Sequence, residues 1–261
     1  MRRSSGGSCN SSVRSPWRAA VHHAAARRGA GGGPHRRGRL GSGAVTPILF
    51  LSGAGLRTWI WDDVRAALEV ETRVAGRPGA DAGLDEYADA ALRTAEGWAS
   101  FRVVAHSIGG VVASALVARA PERVSGVVAV CASVPEVGSS FIGALPVPQR
   151  YVMGLVTRVL GTRPPDSAIR KGLAARLEPE LASRIVADFA PESKALYRDR
   201  VPERRFPASS TYILTERDSE YPAALQERYA ARLGGDVVRL ATGHLPMLED
   251  PARLTEVIGR Q

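Results

Sequence analysis

Short runs of apolar residues, most of them rich in branched side chains, recur along the chain from Pro47 onward. They cover residues 48–51, 102–105, 125–131, 211–215 and 237–240. Apolar runs of this length, bounded by glycine or polar residues, predict strands buried on both faces of a sheet. Helical patterns separate several of them, over residues 61–68, 84–98 and 109–120. Strands that alternate with helices predict an α/β fold, with a doubly wound and mostly parallel sheet.

The segment from residue 135 to residue 207 interrupts this alternation. Apolar residues recur at helical spacing over 151–159 and again over 173–181, and no run in the segment predicts a strand. We therefore expect a helical cap inserted into the sheet domain over 135–207. Candidates for the wall of a pocket beneath this cap are Phe141, Tyr151, Met153 and Leu155.

The charge of the chain is concentrated in its first 44 residues. The formal net charge is +9, and residues 1–44 contain nine arginines and no acidic residue, so the rest of the chain is formally neutral. A neutral domain offers no basic surface for a phosphate backbone, so nucleic acid is not an expected partner. We expect residues 1–44 to be a disordered tail rich in arginine, glycine and serine, and residues 45–261 to form one domain.

The apolar stretches and the cysteines of the chain bear on its location and on its cofactors. No apolar stretch in the tail suits a secretory signal, and no segment is long enough to span a membrane, so a membrane is not an expected partner. An organellar transit peptide is the alternative for the arginine-rich tail. Two cysteines, Cys9 and Cys131, support neither a disulfide framework nor a thiolate metal site. We expect a cytoplasmic protein without a metal or cofactor.

A candidate nucleophile lies between a predicted strand and a predicted helix. The sequence from Ala105 to Gly109 is Ala-His-Ser-Ile-Gly, which places Ser107 at a strand-to-helix turn flanked by small residues. In a nucleophile elbow such a turn lifts the serine hydroxyl above the sheet. The following helix N-terminus favours negative charge that develops during a reaction.

The base and the acid follow by elimination and chain order. Only His106 and His244 lie outside the tail, and His106 directly precedes the serine, so its side chain should point away from the hydroxyl. His244 follows the last predicted strand, where loops bind ligands in open α/β sheets. The acid should lie between Ser107 and His244 in the chain, after a strand, which favours Asp218.

Three other acidic residues compete with Asp218 for this role. Asp236 precedes its strand and would lie at the wrong end of the sheet. Glu216 and Glu220 are expected to face solvent. Asp218 would orient the imidazole of His244 and stabilise its charged form.

Backbone amides are the expected donors to an oxyanion. The elbow supplies the amide of Ile108, the residue after the serine, and the loop Ser52-Gly53-Ala54-Gly55 should supply the amide of Ala54. This loop is no dinucleotide-binding fingerprint, because the chain has no G-x-G-x-x-G there.

Together these motifs resemble the α/β-hydrolase superfamily over about residues 47–260. The elbow around Ser107, the segment from Thr215 to Gln226 and the sequence Gly243-His244-Leu245-Pro246-Met247 resemble small bacterial esterases, plant methylesterases and hydroxynitrile lyases. The resemblance implies cofactor-free chemistry on small esters or cyanohydrins beneath a helical cap. One departure is Ser52, where the family usually has histidine.

Three functions are compatible with these residues. The first is hydrolysis of a small carboxylic ester through an acyl-enzyme on Ser107. The second is a hydroxynitrile lyase-type carbon–carbon lyase on the same scaffold. The lyases that the chain resembles carry an additional cationic residue near the cap, and the sequence places neither Lys171 nor Lys194 there. The third is a small-molecule binding protein that has lost turnover, which the intact Ser107, Asp218 and His244 argue against.

Overall fold

The computed structural model describes residues 46–260, and its centre is one sheet of six parallel strands in the order β2-β1-β3-β4-β5-β6. The strands are β1 Ile48–Leu51, β2 Thr72–Val74, β3 Phe101–His106, β4 Val124–Val130, β5 Thr211–Thr215 and β6 Asp236–Leu240. The predicted α/β class and parallel sheet are confirmed. β2 was not predicted, because three half-buried residues at the edge of a sheet give no apolar run.

Helices cover both faces of this sheet. The region from β1 to β4 contains a 3₁₀ turn Thr58–Trp61 and helices α1 Asp62–Ala66, α2 Leu84–Thr94 and α3 Gly109–Arg119. The region after β5 contains α9 Ala223–Leu233, α10 Pro246–Glu249 and α11 Pro251–Gly259. Side chains of β1 alternate between two buried clusters, one on each face of the sheet. Leu49 and Leu51 lie on the side of α2, α3 and α9, and Ile48 and Phe50 lie on the side of α1 and α11.

Residues 135–207 contain five helices and, in the described structure, no strand. They are α4 Phe141–Ala144, α5 Gln149–Val159, α6 Asp166–Lys171, α7 Pro179–Asp188 and α8 Lys194–Arg198. Phe141 is buried against Tyr197, with ring centroids 5.2 Å apart, and Met153 is half-buried. The prediction that Tyr151 and Leu155 line a pocket was wrong, because their side chains are 69% and 64% exposed.

The tail predicted over residues 1–44 lies outside the residues that the structure describes. Within residues 46–260 no helix is both long and apolar enough to cross a bilayer.

Candidate active site

Ser107 occupies a sharp turn between β3 and α3. Its backbone is left-handed, with φ of 55°, which is uncommon for a residue other than glycine. The turn is held by its own carbonyl oxygen, which accepts hydrogen bonds from the amides of Gly110 and Ser133 at 3.1 and 2.8 Å. A Cβ atom at position 110 would collide with the Ser133 carbonyl oxygen, so only glycine fits there. A Cβ atom at Gly109, the last residue of the motif, would likewise lie 2.8 Å from the Leu51 carbonyl oxygen, so close packing requires glycine there too.

His244 lies in the loop between β6 and α10, and its ring joins two other side chains. Nε2 lies 3.0 Å from Ser107 Oγ, and Nδ1 lies 2.8 Å from Asp218 Oδ2. The side chains of His244 and Asp218 are almost completely buried, with exposed fractions of 4% and 0%. The structure thus brings the three predicted residues into one hydrogen-bonded series.

Asp218 is held by four hydrogen bonds in the loop after β5. Oδ1 accepts from the amides of Glu220 and Tyr221 at 2.8 and 2.9 Å, and Oδ2 accepts from Thr215 Oγ1 in addition to His244. Gln226 fixes the same loop, because its Nε2 donates to the carbonyl oxygens of Thr215 and Tyr221. The carboxylate is therefore rigidly oriented toward the imidazole.

The competing acids occupy other positions. Glu216 and Glu220 are exposed, and Asp236 is the exposed first residue of β6, at the opposite end of that strand from His244. None of the three forms a hydrogen bond with His244 in the described structure.

His106 supports the loop that carries His244. Its Nε2 donates to the His244 carbonyl oxygen at 2.8 Å, so its side chain points away from the serine hydroxyl as the sequence suggested. Burial, assisted by the neighbouring His244, lowers the pKa of His106 to about 3. An imidazole that stays uncharged in this position contributes no positive charge next to His244.

The charges of His244 and Asp218 are coupled. Burial alone would raise the pKa of Asp218, but the His244 imidazolium bonded to it and hydrogen bonds from Tyr221 and Thr215 lower it. Burial alone would also lower the pKa of His244, but the neighbouring Cys131 and the Asp218 carboxylate bonded to Nδ1 raise it well above the ordinary histidine value. The charged form of His244 is therefore stabilised beside a carboxylate whose own pKa is lowered.

The loop that follows β1 lies directly against the serine. A Cβ atom at Gly53 would lie 3.0 Å from Ser107 Cβ, so the absence of a side chain lets the backbone approach. Ala54, the predicted amide donor, is the next residue. Among residues 46–260 no protein group accepts a hydrogen bond from the Ala54 or the Ile108 amide, so both are available to a ligand. Ser52 Oγ accepts from Trp61 Nε1 at 3.1 Å and holds the start of the loop.

A buried carboxylate, which sequence reasoning missed, ties this loop to the residues between α7 and α8. Glu192 Oε1 accepts from the Gly55 amide at 3.3 Å and pairs with Arg77 Nε at 2.9 Å, and Oε2 accepts from Tyr87 Oη at 2.5 Å. Its side chain is 4% exposed. These partners are more than 100 positions away in the chain, and no local motif marks them.

A cavity of about 280 Å³ lies beside the same loop. Its walls include Ser52, Tyr87, Ile108 and Glu192. Apolar side chains and a few polar groups make up such a wall in small-molecule sites. The cavity therefore offers space for a small organic group beside Ser52 and Ile108, and its walls do not include Ser107 or His244.

Replacing Glu192 with alanine should destabilise the protein by about 3 kcal/mol, because Arg77, Tyr87 and the Gly55 amide would lose a shared buried acceptor. Urea unfolding measures this difference, with Glu203→Ala as the control at an exposed glutamate. Equal stability of the two variants would show that the buried carboxylate contributes nothing.

The fold and the elbow define an α/β hydrolase type of protein, and comparisons with known proteins agree. Residues 48–257 match the model of the alpha/beta hydrolase family. The chain belongs to this family. No curated protein sequence matches the chain significantly.

Solved structures share the fold at low sequence identity. An extracellular α/β-hydrolase from a Paenibacillus species has a TM-score of 0.74 and 14% identity, covering 83% of this chain and 98% of that one. A pyrethroid hydrolase from Sphingobium faniae has a TM-score of 0.64 and 22% identity, covering 82% and 96%. A methylesterase from Arabidopsis has a TM-score of 0.66 and 17% identity, covering 83% and 98%.

Proposed function

We propose that this protein is a serine hydrolase that cleaves a small carboxylic ester. The observation that carries the proposal is the series of hydrogen bonds from Asp218 through His244 to Ser107, which stands at a left-handed turn. Because a serine hydroxyl is a weak nucleophile by itself, a base held at 3.0 Å is the arrangement that acyl transfer requires.

In the acylation step Ser107 Oγ attacks the carbonyl carbon of the ester, and His244 Nε2 takes the hydroxyl proton. The Asp218 carboxylate stabilises the resulting imidazolium at Nδ1. The amides of Ala54 and Ile108 donate to the negatively charged oxygen of the tetrahedral intermediate. When the intermediate collapses, the carbon–oxygen bond to the alcohol breaks, and the alcohol leaves with the proton from His244.

In the deacylation step a water molecule attacks the acyl group on Ser107. His244 now takes a proton from this water, and the same two amides hold the second oxyanion. Collapse breaks the bond to Ser107 Oγ, which recovers its proton from His244. The products are a carboxylic acid and the free enzyme, so the cycle needs no cofactor.

The names of two similar structures, the Arabidopsis methylesterase and a Thermogutta terrifontis esterase, support an ester as the substrate. A cytoplasmic location stays part of this proposal, and the free, buried Cys131 is compatible with it.

The lyase alternative has less support. It calls for an additional cation near the reacting group, but Lys171 and Lys194 are both exposed, and Lys194 Nζ donates to the Arg158 carbonyl oxygen at the surface. We therefore expect ester hydrolysis and no cleavage of cyanohydrins.

Assays on paired substrates test the proposal. A short-chain p-nitrophenyl ester should be hydrolysed by the native protein but not by Ser107→Ala, while an aromatic cyanohydrin should release no aldehyde. Cyanohydrin cleavage without ester hydrolysis would establish the lyase, and turnover of neither would favour the binding protein.

Activity should rise with pH, because only uncharged His244 can accept the serine proton. An ordinary histidine would give a midpoint near ~6.5. Since the pKa of His244 is raised, the midpoint of kcat/KM should lie above that value, with activity lost as the pH falls through it. A profile of kcat/KM against pH measures this, and a flat profile from about pH 5 to about pH 8 would remove His244 as the base.

A further inference from the structure

Helix α5 turns its apolar side toward solvent. Its buried side consists of Thr157 with half-buried Arg150, Met153 and Gly154, whereas bulky apolar residues occupy the other side. The exposed apolar residues are five on the helix and Leu160 directly after its end. They are Tyr151, Val152, Leu155, Val156, Val159 and Leu160. Positions three, four and seven apart share one side of a helix, so this is a continuous surface. We call these six residues the α5 stripe.

Exposed apolar side chains are concentrated at this place. Of the nine large apolar residues that are exposed among residues 46–260, seven lie between residues 147 and 160. Single exposed apolar residues are normal, but a contiguous patch marks an interaction site. Leu160 and Tyr151 are 74% and 69% exposed, and without a partner on this surface their apolar area stays in water at a cost in free energy.

Basic residues surround the α5 stripe. Arg158 lies on the helix itself. Lys194 and Arg198 of α8 donate to the carbonyl oxygens of Arg158 and Gly154, respectively, so the side chains of both α8 residues contact α5. The sequence contains no acidic residue from 137 to 165. The acids at either end of this range, Glu136 and Asp166, are paired with Arg232 and Arg163. The rim of the stripe is therefore positively charged.

A second copy of the chain fits this surface poorly. A helix of 11 residues is about 16 Å long, so the stripe can bury far less than the ~800 Å² per partner that stable interfaces need. A symmetric contact would also bring one basic rim against another. An apolar surface with negative charge at its border matches both features of the stripe.

We propose that the α5 stripe binds the surface of an anionic lipid bilayer, with its apolar side chains at the acyl boundary and Arg158, Lys194 and Arg198 at the headgroups. An amphipathic helix with this division lies in the interface and does not span it. The expectation of no membrane partner rested on the lack of a spanning segment, and a helix that lies on the membrane surface needs no such segment. The proposal does not depend on the reaction at Ser107.

Flotation of the full chain with lipid vesicles tests the proposal. The protein should float with vesicles of phosphatidylcholine and phosphatidylglycerol in equal parts, and much less with phosphatidylcholine alone, and added salt should weaken binding. The double variant Leu155→Gln/Val159→Gln should lower the partition coefficient roughly tenfold. Val137→Gln/Val237→Gln removes exposed valines elsewhere and should leave it unchanged.

The arginine-rich first 44 residues are present in every variant, so binding through them would be unaffected by the α5 substitutions. Equal binding of the native protein and both double variants to the anionic vesicles would therefore overturn the proposal. No binding of the native protein would overturn it as well. Light scattering after size-exclusion chromatography tests whether a second copy of the chain binds the stripe instead. A native dimer that Leu155→Gln/Val159→Gln converts to a monomer would assign the stripe to a second copy and also overturn the lipid assignment. Unchanged thermal melting of the variants shows that they are folded.

Discussion

Ser107→Ala and His244→Ala should each lower kcat by on the order of 10⁴-fold or more, and the double variant should be no slower than the slower single variant. Without the hydroxyl the base has nothing to deprotonate, and without the base the hydroxyl is a poor nucleophile. The 3.0 Å contact between His244 Nε2 and Ser107 Oγ is the structural reason for expecting one shared step. Residual activity should come from binding and from the amides of Ala54 and Ile108.

Steady-state hydrolysis of a p-nitrophenyl ester by all four proteins forms the complete mutant cycle. Substrate binding should survive in each variant, because neither side chain is expected to supply binding energy of its own. More than a tenth of native activity in His244→Ala, or single effects that multiply in the double variant, would contradict a cooperating pair. His106 would then have to be reconsidered as the base.

Asp218→Asn should lower kcat by on the order of 10³ to 10⁴-fold, somewhat less than loss of the serine or the histidine. An asparagine has no charge to stabilise the imidazolium, and its amide can favour the wrong tautomer of His244. The same substitution should move the midpoint of the pH profile to lower pH, because the carboxylate that raises the pKa of His244 is gone.

Glu216→Gln is the matched control for Asp218→Asn, since it removes an exposed carboxylate two residues away. It should change neither the rate nor the pH midpoint. A large loss in Glu216→Gln together with a small one in Asp218→Asn would reassign the acid.

Most of the sheet could be predicted because its central strands are buried on both faces. A strand such as Ile48–Leu51 contacts helices on either side and must be apolar throughout, which leaves a visible run in the sequence. β2 leaves no such run, since Thr72 and Arg73 at the sheet edge are only half-buried. The other edge strand, β6, is mostly exposed as well, but its valines and its leucine still form a short apolar run, so it could be predicted.

The positions of Ser107, Asp218 and His244 could be proposed because each follows a strand, and the carboxyl ends of parallel strands meet at one edge of the sheet. The links to Glu192 could not be foreseen in the same way. Arg77 follows the unpredicted β2, Tyr87 lies on α2, and Glu192 lies between α7 and α8. Their contact depends on how these residues pack onto the sheet, which no local spacing encodes.

Helix α5 shows what periodicity alone leaves open. The spacing of Tyr151, Leu155 and Val159 correctly predicted a helix with one apolar side. It carried no information on whether that side faces the protein or solvent, and the expectation of a pocket wall was wrong.

The role of Ser107 as the nucleophile is tested most directly by covalent trapping with a fluorophosphonate, followed by mass spectrometry of the intact protein and its peptides. One label per chain should appear on the peptide that contains Ser107, and a short-chain ester should compete for it. Ser107→Ala should take no label, and His244→Ala should be labelled far more slowly. A label on another residue, or equal labelling of Ser107→Ala and the native protein, would contradict the proposed mechanism.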